Sequence, residues 1–355
     1  MRRAGLLVLP ALLLGTAWAG GGKPNPGKGG RVDTAAPRHP PTQGVASPAA
    51  IRAKTADDLV YGEPIRYHNL SLVPVGTTHK GPFQKYTLLE QGLKARTLAV
   101  RELNGKSGEA QVSAVEVRNK GQDPVYLLGG EMILGGKQDR IISQDTVVSP
   151  GGKWTQVSVF CVEQGRWAGG NMQFQSGSAL AHVALRRAAM SGDQSKVWAE
   201  VARKNLEQGS QSSTSTYRRT IQNARVRAKL APYRAQLMRM LPKNMQLAGI
   251  VFAINGKIQV ADLFGNPLLY AALQDKLLSA YVLEALGQQV DRNAPALSKG
   301  AAKDWLFKAR KGAKVRAKSQ GRSVNYQKHS PHAIGAETED KATGKTVRET
   351  YINSK

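Results

Sequence analysis

"VYLLGGEMILGGKQDRIISQDTVVSPGGKWTQVSVFCVEQ" (residues 125–164) decides the fold class. Its apolar runs are of strand length, rich in Val, Ile and Phe, and each is cut by a glycine-rich break: GGKQDR at 135–140 and SPGGK at 149–153. A helix needs a longer uninterrupted period, so the reading is a series of strands over 125–134, 140–148 and 154–164. The first is apolar on both alternating faces, which marks a strand covered on two sides.

Working outward, QVSAVEVRN (111–119) alternates strictly, and TLAVREL (97–103) and NLSLVPVG (69–76) read as further strands. YTLLEQGLKAR (86–96) places Leu88, Leu89 and Leu93 at helical spacing. These segments predict an antiparallel β-sandwich-like core over about 65–165. Downstream the pattern changes. Helices are expected at 178–190 and 194–208, and a long basic helix at 217–241 with a break near Pro232. QLAGIVFAINGKIQVADLFG (246–265) is a hairpin turning at Asn255-Gly256. Residues 266–287 form a helix with Asn266 as cap, Pro267 in the first turn and Gly287 at the end. The fold class is therefore α+β, a sandwich-like core packed with a helical region and a C-terminal hairpin-helix unit.

Residues 1–19 read as a secretory leader: Arg2-Arg3, a short apolar run, and Ala17-Trp18-Ala19 as the cleavage signal. The expected destination is secreted or periplasmic. Residues 20–50 are rich in glycine and proline and poor in large apolar residues, a tether that cannot offset its ordering entropy. A single domain is expected over 51–296, followed by a basic extension over 297–355. No later stretch is apolar enough for a transmembrane segment.

Of the 355 residues, 51 are basic and 25 acidic, a net charge of +26. Between Lys299 and Lys328 ten basic residues face one acid, Asp304. Such a stretch suits anionic envelope polymers or lipid headgroups. Few aromatics interleave it, which argues against specific nucleic-acid binding. The lone Cys161 rules out an internal disulfide. His329 and His332 lack an acidic or thiolate companion, so no metal and no cofactor is expected.

The chemistry concentrates at GGEMILGGKQDR (129–140) and CVEQGRW (161–167), where charged groups end apolar strands. Glu131 falls among apolar neighbours and needs a partner, the candidates being Lys137, Arg140 and Arg166. Were the two strands adjacent, Glu131, Cys161 and Glu163 would converge with Arg140 and Arg166 as counter-charges. Glu131 and Glu163 are then the candidate acid/base pair, or two structural carboxylates. The candidate ligand-binding residues are Lys137, Gln138, Asp139, Arg140, Cys161, Gln164, Arg166 and Trp167. Arg140 and Arg166 suit a phosphate or carboxylate, with internal salt bridges as the equal competitor.

These blocks, with NLSLVPV, YTLLEQGLKA and INGKIQVADLFGNPLLY, make the chain resemble the ARG and Rhodanese-Phosphatase-superfamily-associated protein domain over roughly 65–290. That family has no assigned activity. Its name implies a link to ADP-ribose or phosphate-ester metabolism and supplies no catalytic residue. Three functions follow as expectations: an exported module binding a small anionic, nucleotide-like or carbohydrate ligand; a hydrolase of phosphoester or ribosyl bonds; or an envelope protein gripping anionic polymer through 299–328.

Overall fold

Asn255 and Gly256 both adopt positive φ, 48° and 75°, and turn one strand directly into the next. That is the backbone two-residue hairpins favour, and a side chain at Gly256 would strike the Pro295 carbonyl. Around this hairpin the computed structural model, which describes residues 58–104, 110–166 and 173–354, builds an α+β fold with a sheet-rich core. The expected leader and tether, and Trp167, lie outside the described residues.

In chain order the first strands are β1 (Leu59–Tyr61), β2 (Ile65–Tyr67), β3 (Leu70–Thr77) and β4 (Thr87–Leu88). After α1 (Leu89–Lys94) come β5 (Leu98–Asn104), β6 (Ala110–Asn119), β7 (Val125–Leu127), β8 (Glu131–Leu134), β9 (Arg140–Ile142), β10 (Thr146–Val148), β11 (Trp154–Cys161) and β12 (Gln175–Leu180). The helical region is α2 (Val183–Met190), α3 (Gln194–Glu207), α4 (Arg218–Gln222) and α5 (Ala224–Met240). The hairpin strands β13 (Leu247–Ile254) and β14 (Lys257–Phe264) precede α6 (Pro267–Ala285) and α7 (Lys299–Arg310). The chain closes with β15 (Ala313–Arg316), β16 (Ser323–His329), β17 (Ala333–Asp340) and β18 (Lys345–Asn353).

A nine-stranded sheet runs in the order β1-β3-β13-β14-β18-β17-β16-β15, with β2 also on β3. Alternation along β13 sorts its two faces. Ile250, Phe252 and Ile254 pack in a core shared with Leu269, Tyr270, Leu273 and Leu277 of α6. Val251 and Ala253 pack in another with Ala302, Leu306 and Ala309, one stripe of α7. Helix α6 is apolar nearly all round, hence buried, and Asn266 caps it by accepting from the N–H groups of Leu268 and Leu269.

The second layer is a six-stranded sheet, β12-β8-β9-β11-β6-β5, beside a three-stranded one, β10-β7-β4. Ile133 and Ile142 face one core with Val125, Leu127 and Val157. Met132 and Ile141, one residue away on the same strands, face another with Leu185 of α2 and Val197 and Val201 of α3.

Several expectations are corrected. The run 125–134 is two strands: the Glu131 N–H closes a turn onto the Leu128 carbonyl at 2.9 Å, and Gly130 takes φ 91°. The run 140–148 divides at Ser143–Asp145, so within these two runs the chain crosses between the smaller sheets at 128–130 and again at 143–145. Residues 175–180 pair with β8 instead of starting a helix. Pro232 sits inside α5, and the break in the basic helix falls at Asn223, whose side chain caps α5. Strand β3 lies in the large sheet against β13, outside the expected 65–165 sandwich. Residues 297–355 are no appended tail: they supply α7 and four strands, and β18 lies between β14 and β17.

Candidate functional site

The two charged motifs do meet. Cys161 pairs with Arg140 across the β11–β9 ladder, which brings the 135–140 loop beside 161–166. Most of the groups then satisfy one another, with Gln138 Oε1 and Arg140 Nε left without a partner among the described residues. Arg140, fully buried, forks onto Glu102 at 3.0 and 2.9 Å. Glu102 also accepts the Lys137 N–H at 2.8 Å. Asp139 accepts from the Gly135 N–H at 3.0 Å, Thr216 Oγ1 at 3.2 Å and Arg218 Nε at 2.7 Å. Glu163 accepts the Asp139 N–H at 3.1 Å and Arg166 Nε at 2.9 Å, while its carbonyl takes Gln138 Nε2 at 2.8 Å. Arg166 Nη1 donates to the Gly136 carbonyl at 2.9 Å. Burial pushes the Glu163 carboxyl up, but Arg166 and the Asp139 N–H outweigh it and hold the group low. Burial raises the Cys161 thiol, and its Sγ lies 3.6 Å from the Val112 carbonyl, the setting of a structural cysteine. Gln164 is exposed.

Glu131 leaves this group. Its partner is Lys276 of α6, which also donates to Glu90 at 2.7 Å, and none of Lys137, Arg140 or Arg166 pairs with it. Burial pushes the Glu131 carboxyl up to about 7; Lys276 opposes the rise and Glu90 adds to it. Glu131 and Glu163 therefore belong to separate networks, and the expected convergence does not occur. Lys276, Glu102 and Arg218 were missed because they come from elements far away in the chain.

What the 129–145 segment does build is a cavity of about 340 Å³, between its two sheet crossings and the β16–β18 face of the large sheet. Gly129, Gly130 and Asp145 line one side, and the Gly129 N–H donates to Asp145 Oδ1 at 2.7 Å. A Cβ on Gly130 would lie 2.9 Å from Arg186 Cγ, so glycine makes room for that side chain. Beneath lies Asp262, wholly buried. It accepts from Arg186 at 3.0 and 2.7 Å, Arg348 Nη2 at 2.6 Å and the Tyr281 hydroxyl at 2.6 Å. Arg348 Nη1 reaches Asp145 at 2.8 Å, and Arg186 reaches Thr350 Oγ1 at 2.8 Å. Burial alone would raise the Asp262 carboxyl; Arg186 and Arg348 override it and hold the group far below the usual range. None of the rim residues Lys137, Gln138, Asp139, Arg140, Glu163, Gln164 and Arg166 lines this cavity.

Among the described residues no cluster of three or more His, Cys, Asp or Glu side chains is placed to hold a metal. Nor is any helix there long and apolar enough to cross a membrane.

Fold and cavity together define an α+β domain with a small-molecule-sized space between two mostly antiparallel layers. The chain belongs to the ARG and Rhodanese-Phosphatase-superfamily-associated Protein domain family, whose model matches residues 58–352. The match runs on through β18, so the basic C-terminal region is part of the family's domain. No curated protein and no solved structure matches the chain.

Proposed function

We propose that this is an exported small-molecule binding module whose ligand occupies the cavity beside Gly129-Gly130, not the polar rim of 137–140 and 163–166. The observation that carries the reading is a partly open space of about 340 Å³ with buried polar groups set in a largely apolar wall, which falls within the small-ligand range. The rim, by contrast, uses its guanidinium and carboxylate groups on itself. A hydrolytic reading would need Glu131 and Glu163 at one bond, and each is tied into its own ion network. The test is a ligand-observed NMR screen of a fragment panel that includes ADP-ribose, repeated on Met190→Trp, which fills the cavity from the end of α2. Loss of every hit in that variant is expected. Hits that survive it but vanish in Arg166→Ala would return the site to the rim and overturn the reading.

A second reading keeps the anionic envelope surface. Lys299, Arg310, Lys314, Arg322 and Lys328 are paired with acids, but Lys303, Lys308, Lys311, Arg316 and Lys318 are exposed. Truncation at 296 would remove four strands of the large sheet, so the test is charge reversal. Lys308→Glu with Lys311→Glu should weaken retention on anionic vesicles at low salt; unchanged retention would dispose of it.

A further inference from the structure

Two donors in the cavity wall have no acceptor. Asn325 is 3% exposed and Arg348 2% exposed, and neither Asn325 Nδ2 nor Arg348 Nε has a hydrogen-bond partner among the described residues. The Asn325 amide is held by its other end, where Oδ1 accepts Thr338 Oγ1 at 2.8 Å. The two residues lie in one cross-strand row, because Asn325 is paired with Thr338 and Thr338 with Arg348. Directly paired residues share a face of the sheet, with strands about 4.8 Å apart, so the two backbones stand roughly 10 Å apart on one floor. Both side chains line the same cavity. Buried donors are rarely left unmade, and an acceptor delivered between these two would satisfy them.

The charge balance narrows the acceptor. Arg186 and Arg348 are matched by Asp145 and Asp262, two against two. Of the other lining side chains, Ser143, Gln144, Gln327, Thr338 and Thr350 are neutral, and His329 sits exposed at the rim. No cation is left over for an entering anion, and a charge buried without a counter-charge is strongly disfavoured. Phe160, Met190, Ile334 and Ala336 give the remaining wall an apolar character. We infer that the cavity takes a small uncharged ligand with a carbonyl acceptor on a compact apolar or flat body, of the carboxamide, lactam or pyrimidine class, and that it rejects phosphate esters and diphosphates.

This inference rests on the cavity reading above, and the experiment separates the two. Benzamide and uracil are titrated against benzoate and ADP-ribose by saturation-transfer NMR on the intact domain, in the wild type, Asn325→Ala, Asn325→Asp and Met190→Trp, with melting temperatures confirming that each variant folds. Benzamide or uracil should bind in preference to benzoate and ADP-ribose. Asn325→Ala should weaken the neutral probes about fivefold, Asn325→Asp, which replaces the donor by an acceptor, should weaken them further, and Met190→Trp should abolish binding. Tighter binding of benzoate or ADP-ribose, itself lost in Met190→Trp, overturns the ligand class and leaves the cavity standing. Binding of the neutral probes unchanged by Asn325→Asp also overturns the class. Indifference of all probes to Met190→Trp sinks both. Failure of every probe to bind at millimolar concentration overturns the inference, while the wider panel decides the cavity.

Discussion

The rim at 135–140 and 161–166 and the cavity floor at Asp145, Asp262, Arg186 and Arg348 use the same residue types. They differ in what is left over. At the rim, Asp139 and Glu163 spend their oxygens on backbone N–H groups, on Arg166 of the same loops and on Arg218 of α4. Arg140 Nε and Gln138 Oε1 also lack a partner among the described residues, but both side chains are buried, Arg140 beneath the Phe174 ring 5.7 Å from its centroid, and neither lines the cavity. On the floor the charges cancel as well, yet a row of the sheet presents Asn325 and Arg348 to open space. A dense run of charges marks a well-knit corner as readily as a binding site; unused hydrogen-bonding capacity beside a void tells them apart.

The comparison is tested most severely at Asp262. Asp262→Asn leaves two buried guanidinium groups short of a counter-charge and should cost about 3–5 kcal/mol in chemical denaturation. If Asp139→Asn at the rim proves more costly than that, the floor is not the tighter of the two networks.

Between them in size stands Glu131. Its carboxyl is raised from 4.5 to about 7 in the fold, chiefly by burial. A raised pKa means the contribution is complete below about 4.5 and is lost as pH climbs through 7. The wild type should thus lose about 2–3 kcal/mol relative to Glu131→Gln between about pH 5 and 8. Glu163 and Asp262 are held low, so their contributions fade only at more acidic pH and stay outside this window. A flat difference between the two proteins over that range would show that Lys276 keeps Glu131 ionised throughout. Asp139→Asn itself should cost about 2 kcal/mol, since partly exposed Arg166 and Arg218 can turn to water. Smallest of all, Gln164→Ala at the exposed end of the rim should stay within about 0.5 kcal/mol.

What could be read from the chain was local. The Asn255-Gly256 turn, the Asn266 cap with Pro267, and the apolar α6 carry their signals within a few residues, and the family resemblance rested on contiguous blocks. The crossing at 128–130 also left a local mark, because Gly-Gly inside an apolar run can interrupt a strand, but the apolar residues on both sides outweigh it and read as one strand. The Asn223 cap was written just as plainly and was overshadowed by Pro232. Partner choice was illegible. Glu131 found Lys276, 145 positions away, while the sequence offered the nearer Lys137, Arg140 and Arg166. The floor joins Asp145 of the β9–β10 turn, Arg186 of α2, Asp262 of β14 and Arg348 of β18, and of these only Asp262 and Arg348 lie on paired strands.

Strand β18 fills the middle of the large sheet, with β14 on one side and β17 on the other. Without it both neighbours would keep an open edge, and the arginine that bridges Asp145 and Asp262 would be missing. Cleavage ahead of β18 would therefore leave two unpaired strand edges open to another chain.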